Sequence, residues 1–180
     1  MKILLLIETK CRELDGKIWL GYNLLKAGYE VVLSEASEAM NSMDIIKPDV
    51  VFYQSAGGGK TKIEILKKLK DVGVLNVVLD QEGGIFRKDE EYRDTRLGAE
   101  VLENIDRYFG WGVRSSQIVK DSGLLNSENI ITTGEPKFDL LHRNQRVFFE
   151  EEVLKIRKKY KDFVLINTNF GRVNHFDEKI

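Results

Sequence analysis

Two carboxylates one residue apart, followed at once by two glycines, are the clearest chemical signal in the chain. Asp80-Gln81-Glu82-Gly83-Gly84 closes the apolar run Val77–Leu79. A carboxylate at the end of a buried strand is held by a rigid element and can act as a general base. Gly83 and Gly84 permit positive φ or a close backbone approach, which leaves room beside Glu82 for a substrate. Asp80 is the rival base, or it hydrogen-bonds the turn. An acidic pair also suits Mg²⁺ or Mn²⁺, but no further acidic cluster is spaced to complete a shell, so no metal is assigned. The plainer alternative is that both are solvated loop carboxylates, or cap the helix that follows.

A second charged cluster is Arg12-Glu13-Leu14-Asp15-Gly16, close behind the first apolar run. The planar fork of Arg12 suits a carboxylate or phosphate, and Glu13 and Asp15 could bind polar groups of a ligand. Acidic residues in a first helical turn are equally explained by the helix dipole. Gly57-Gly58-Gly59-Lys60-Thr61 imitates a phosphate loop, but that motif needs glycine where Gln54 stands. A glycine turn feeding a helix is the better account. His142 and His175 are too far apart for a metal pair or a catalytic triad.

These residues must be positioned by elements, and the apolar pattern supplies them. Strand-like runs fall at Ile3–Ile7, Tyr29–Leu33, Val50–Tyr53, Leu75–Leu79, Arg107–Phe109, Asn129–Thr133 and Phe163–Asn167. Helical periodicity fills the intervals: about Arg12–Ala27, Ser37–Ile46, Lys62–Val72, Asp89–Asn104, Val113–Asp121 and a long helix ending near Lys161. Leu14, Ile18, Tyr22 and Leu25 share one face of the first helix, and Ile65, Leu69 and Val72 one face of the third. Strands alternating with helices predict an α/β fold: a Rossmann-like, doubly wound, mainly parallel sheet of about six or seven strands, with helices on both faces. In such a sheet the carboxyl ends of the strands form the ligand edge. Asp80, Glu82 and the Arg12 cluster all fall there.

Composition sets the outer limits. The 180 residues predict one domain with a little of a second, and 42% hydrophobic residues suffice for a core. Charged residues reach 32%, yet the net charge is −1, so no global field points to nucleic acid. The single cysteine, Cys11, fits a reducing compartment. The first apolar run is too short for a signal peptide or a membrane span. We expect a cytoplasmic protein, with peripheral membrane contact at most. The run Phe163–Asn167 reads as the opening of a second domain: residues 1–161 form the first, and 162–180 begin another or serve as a partner-binding tail.

Four segments in order carry a resemblance. Lys10-Cys11-Arg12-Glu13-Leu14-Asp15 follows the first strand, and Asp80-Gln81-Glu82-Gly83 ends the middle one. Gly134-Glu135-Pro136-Lys137-Phe138-Asp139-Leu140-Leu141 follows a late strand, and Ile166-Asn167-Thr168-Asn169-Phe170-Gly171 opens the expected second domain. Together they resemble the bacterial surface carbohydrate biosynthesis proteins, relatives of the CDP-glycerol glycerophosphotransferases and other GT-B glycosyltransferases. The resemblance implies the N-terminal, acceptor-side half of a GT-B architecture. It implies transfer of a sugar or polyol phosphate from a nucleotide-activated donor to a carbohydrate or lipid-linked acceptor, with no other cofactor. It adds Gly134 and Lys137 to the substrate-binding residues. The donor would be held mostly by a second domain, a partner chain or another copy. A nucleotide-sugar epimerase of similar fold and a non-catalytic Rossmann-like binding domain are the competing readings.

Overall fold

A computed structural model describes residues 1–166. The strands are β1 (Lys2–Ile7), β2 (Glu30–Glu35), β3 (Val50–Tyr53), β4 (Leu75–Leu79), β5 (Arg107–Gly110) and β6 (Ile130–Thr132). They form one sheet in the order β2-β1-β3-β4-β5-β6, and every pairing is parallel. The predicted α/β doubly wound sheet is therefore the fold. The chain order reverses between β1 and β3, which makes that boundary the switch point of the sheet.

The helices are α1 (Lys10–Lys26), α2 (Ala36–Asn41), α3 (Met43–Ile46), α4 (Lys60–Asp71), α5 (Asp89–Arg96), α6 (Ala99–Leu102), α7 (Val113–Asp121) and α8 (Glu150–Tyr160). Two predicted helices are broken. The one over 37–46 pauses at Ser42, and the one over 89–104 at Leu97-Gly98, where the Gly98 N–H donates to the Ala56 carbonyl at 2.9 Å instead of continuing the helix. The predicted strand at Phe163–Asn167 does not form over 163–166, and Asn167 lies outside the described residues.

Contacts divide the chain into two compact units, Met1–Arg143 and the segment from Asn144 onward. In the first unit one sheet face buries Leu4, Leu6, Val51, Tyr53 and Val78 against Leu66, Leu69, Ile118 and Val119. The other face buries Ile3, Leu5, Val50 and Val77 beneath Leu20 and Leu24 of α1. Each such aliphatic side chain contributes about 1.5–3 kcal/mol. In the second unit α8 is exposed throughout and carries an i,i+4 pair from Lys155 to Glu151 at 2.7 Å.

The orientation of α1 departs from its sequence pattern. Ile18, Tyr22 and Leu25 are 41%, 51% and 57% exposed, while Glu13, Gly16, Lys17 and Gly21 face inward. The glycines are the reason. A Cβ on Gly21 would stand 3.4 Å from Val31, and one on Gly16 would stand 3.0 Å from Lys137. The helix thus sits close on its glycine side and turns its apolar stripe outward. On α4 the inward residues are Leu66 and Leu69, and Val72 is exposed.

Candidate functional site

The carboxyl edge of the sheet gathers the charged residues. Just past β4, Asp80 is buried at the foot of the acidic turn. One of its oxygens accepts from the Glu82 N–H at 3.0 Å, and the other from the Tyr92 hydroxyl at 2.6 Å. Tyr92 and Tyr108 share a further hydrogen bond of 2.7 Å. Burial raises the Asp80 pKa, while the hydrogen bonds from Tyr92, Glu82 and Tyr108 oppose the rise. Burial and the Asp80 charge push both tyrosines far above their ordinary value. Asp80 is thus committed to shaping the turn rather than to meeting a ligand.

That turn delivers Glu82 to the edge. Glu82 pairs with Arg96 at the end of α5 and with Arg12 of α1, the latter at 3.9 Å, and its side chain keeps 28% of its surface exposed. Both arginines are half exposed. One carboxylate therefore holds two guanidinium groups beside each other at the ligand edge, an arrangement suited to an anionic or strongly polar group.

The two glycines do not leave open space. A Cβ on Gly83 would meet Asp80 Oδ2 at 2.1 Å and Trp111 Cβ at 3.0 Å, and one on Gly84 would meet the Trp111 ring at 2.6 Å. Their missing side chains admit Asp80 and Trp111. The expectation of a substrate beside them is replaced by tight packing under the turn.

Glu13 is buried, and its carboxylate accepts from the Glu8 and Thr9 backbone N–H groups at 3.0 and 2.7 Å. It closes the β1–α1 junction and so aims Arg12. Asp15 is exposed on α1. Past β6, Gly134 takes φ +89°, the left-handed conformation glycine tolerates. It turns the chain into Glu135, which caps a short 3₁₀ segment, Pro136–Leu141. Glu135 accepts from the Lys137 N–H at 3.2 Å and pairs with its ammonium at 3.6 Å. Burial raises the Glu135 pKa, and Lys137 opposes the rise. The Lys137 ammonium lies over the rings of Trp111 and Phe138, at 5.1 and 5.6 Å from their centroids. On β3's side, Lys62 donates to the Ser55 and Gly57 carbonyls, both at 2.8 Å, and ties down the glycine turn that imitated a phosphate loop. Burial lowers the Lys62 pKa to about 8.

Of the residues proposed from sequence, Arg12 and Glu82 are brought together, Arg12 exposed and Glu82 half-buried. Lys137 stands near Gly16 of the same helix as Arg12, through the α1 contact with the 3₁₀ segment. Arg96, Glu135, Trp111, Lys17 and Gln54 escaped the sequence reading. Trp111, Glu135 and Gln54 stand at or just beyond strand ends, so the rule that found Asp80 and Glu82 reaches them too. Lys17 belongs to a second spacing on α1 (Glu13, Lys17, Leu20, Leu24) that the apolar stripe masked. Arg96 gave no local signal. Among the described residues no three His, Cys, Asp or Glu side chains gather as a metal site, and no helix is long and apolar enough to cross a membrane.

No protein-family model matches the sequence. A search of curated proteins likewise gives no match. Solved structures do match. A protein from Listeria monocytogenes assigned as a UDP-N-acetylglucosamine 2-epimerase aligns with TM-score 0.51 at 11% identity, over 74% of this chain and 44% of that one. This chain thus spans less than half the length of that relative. A LuxR-family DNA-binding response regulator from Staphylococcus aureus aligns at TM-score 0.41 and 14% identity, over 70% of this chain and 100% of that one. The Listeria likeness shows the fold alone, a Rossmann-like α/β domain.

Proposed function

We propose that the chain is the acceptor-side half of a bacterial glycosyltransferase-like enzyme, cytoplasmic and at most peripherally membrane-bound. It would pass a sugar or polyol phosphate from a nucleotide-activated donor to a carbohydrate or lipid-linked acceptor during surface polysaccharide synthesis. The observation that carries the reading is the Arg12–Glu82–Arg96 cluster at the carboxyl edge of a parallel sheet. Its guanidinium groups would orient an acidic or phosphorylated group of the acceptor. Glu82, freed from an arginine as that group docks, would take the proton of the attacking hydroxyl. Lys137 and Gly134 would line the same edge. Asp80 and Glu13 act through the turn and the junction they hold, and Asp15 lies on the exposed side of α1. The donor would be held by a second domain or a partner chain.

Calorimetric titration with N-acetylglucosamine 1-phosphate tests this. Binding should weaken at least about tenfold in Arg12→Ala and Arg96→Ala. Binding that ignores both arginines rejects the site. The fold likeness to the Listeria protein supports a second reading, a nucleotide-sugar epimerase. In a two-domain protein, label transferred to an acceptor supports the first reading, and an epimerised donor supports the second.

A further inference from the structure

Two buried side chains have no part in that reading. Lys17 is 1% exposed and Gln54 5% exposed. Among the described residues neither Lys17 Nζ nor Gln54 Nε2 has a hydrogen-bond partner. A buried donor left unpaired costs its full desolvation, so such groups are rare and call for an explanation.

Their placement gives one. Along β3, Val51 and Tyr53 enter one core cluster and Val50 and Phe52 the other, beneath α1. Gln54 continues the alternation onto the α1 side. Lys17 faces inward from α1, one turn nearer the helix start than Leu20 and Gly21, and α1 starts at the carboxyl end of β1. Both residues therefore stand on the α1 side of the sheet, near its carboxyl edge, where β1 and β3 part. That is the switch point of the sheet.

The surroundings select the ligand. Glu13, Glu135 and Glu8 all act electrostatically on Lys17, and burial outweighs them, lowering its pKa to about 8. Glu13 is spent on the Glu8 and Thr9 N–H groups, and Glu135 on Lys137. Three carboxylates face three ammonium groups, Lys17, Lys137 and Lys62, which shares Glu8 with Lys17, so a phosphate or carboxylate would need an excess positive charge that the site does not hold. A neutral hydroxyl would not. It can accept from Lys17 and Gln54, which matches the two unpartnered donors.

We propose that Lys17 and Gln54 form a buried hydroxyl-binding subsite for a neutral sugar ring at the β1–β3 switch point. The proposal rests on reading this edge as a carbohydrate site, and it assigns the sugar moiety as distinct from the charged group held by Arg12 and Arg96. The turn at 134–137, packed on Gly16, lies alongside, and access to the two buried nitrogens would require that turn to move.

The test titrates the full chain with N-acetylglucosamine, glucose and inorganic phosphate, in the parent, Lys17→Met and Gln54→Leu. Each substitution removes an unpartnered polar group and keeps its volume, so both should melt no lower than the parent. The expected result is at least about tenfold weaker sugar binding in each variant. Equal sugar affinity in parent and both variants overturns the proposal, as does a parent that binds neither sugar at tens of millimolar. Phosphate binding that depends on Lys17 overturns it in favour of an anion pocket. Loss of sugar-phosphate binding in the arginine variants, with Lys17→Met silent, leaves the functional reading standing and removes only the subsite.

Discussion

Lys17 is the residue whose chemistry is least comfortable in the fold. Its folded pKa of about 8 lies below its ordinary 10.5. Between those values the unfolded chain binds the extra proton, so stability rises with pH across that window and is flat below it. A shift of this size corresponds to roughly 3 kcal/mol as an upper bound. Lys17→Met should therefore be more stable than the parent at pH 7, and the gap should close between pH 8 and pH 10.5. Urea melts of both proteins at pH 7 and pH 10 measure it. Asp80 shows the opposite sign. Its pKa is raised above 3.8, so its contribution to stability is lost as pH climbs through the window above that value. Tyr92→Phe deletes the hydroxyl donor at 2.6 Å. It should cost about 1–3 kcal/mol and steepen that loss, as thermal melts at pH 4 and pH 7 would record.

At the scale of elements, α1 does two jobs. Its glycine side seats it against β2 and the 3₁₀ segment, which carries Arg12 and Lys17 to the carboxyl edge. Its apolar stripe faces out. Leu25→Glu should therefore change stability by no more than about 0.5 kcal/mol, where truncating a core leucine costs about 2–5 kcal/mol. Chemical denaturation distinguishes the two, and a core-sized loss would mean that the stripe is covered. The acidic turn is the counterpart of α1. It is short, built on Gly83 and Gly84, and clamped from below by Asp80 and Trp111. A turn pinned in this way holds Glu82 between its two arginines.

For the whole molecule, the sheet supplies a platform, and on the proposed reading its carboxyl edge would form one wall of a cleft. Sugar transfer needs donor and acceptor held together, and proximity is a large part of the rate. In a reconstituted two-domain protein, Glu82→Gln should lower turnover at least about 100-fold while the fold and donor binding persist. Single-turnover transfer of labelled sugar measures this, and near-normal turnover would remove Glu82 as the base. On the proposed reading, in which a second domain or partner holds the donor, the described domain by itself should turn over negligibly, by the same proximity argument.

The parallel sheet was legible in the sequence because its evidence is local. Val50–Tyr53, Leu75–Leu79 and Val113–Asp121 have the bounds their apolar patterns predicted, and each sits between turn residues. Glu82 could be placed at the ligand edge for the same reason, since a strand end is visible one residue at a time. The limits came where local pattern and packing disagreed. Ile18, Tyr22 and Leu25 keep helical spacing, yet Gly16 and Gly21 let the opposite side of α1 sit closer to its neighbours. Helical spacing defines a stripe but not what the stripe faces. Phe163–Ile166 has strand composition without a strand, because a strand needs a neighbour to pair with. The site itself was decided by tertiary structure. Arg96 reaches Glu82 from fourteen residues away and Arg12 from seventy, and Glu135 acts on Lys17 from another strand end altogether. Those meetings follow from the strand order β2-β1-β3-β4-β5-β6, which sets which carboxyl ends are adjacent, and burial then fixes which charges go unpaired.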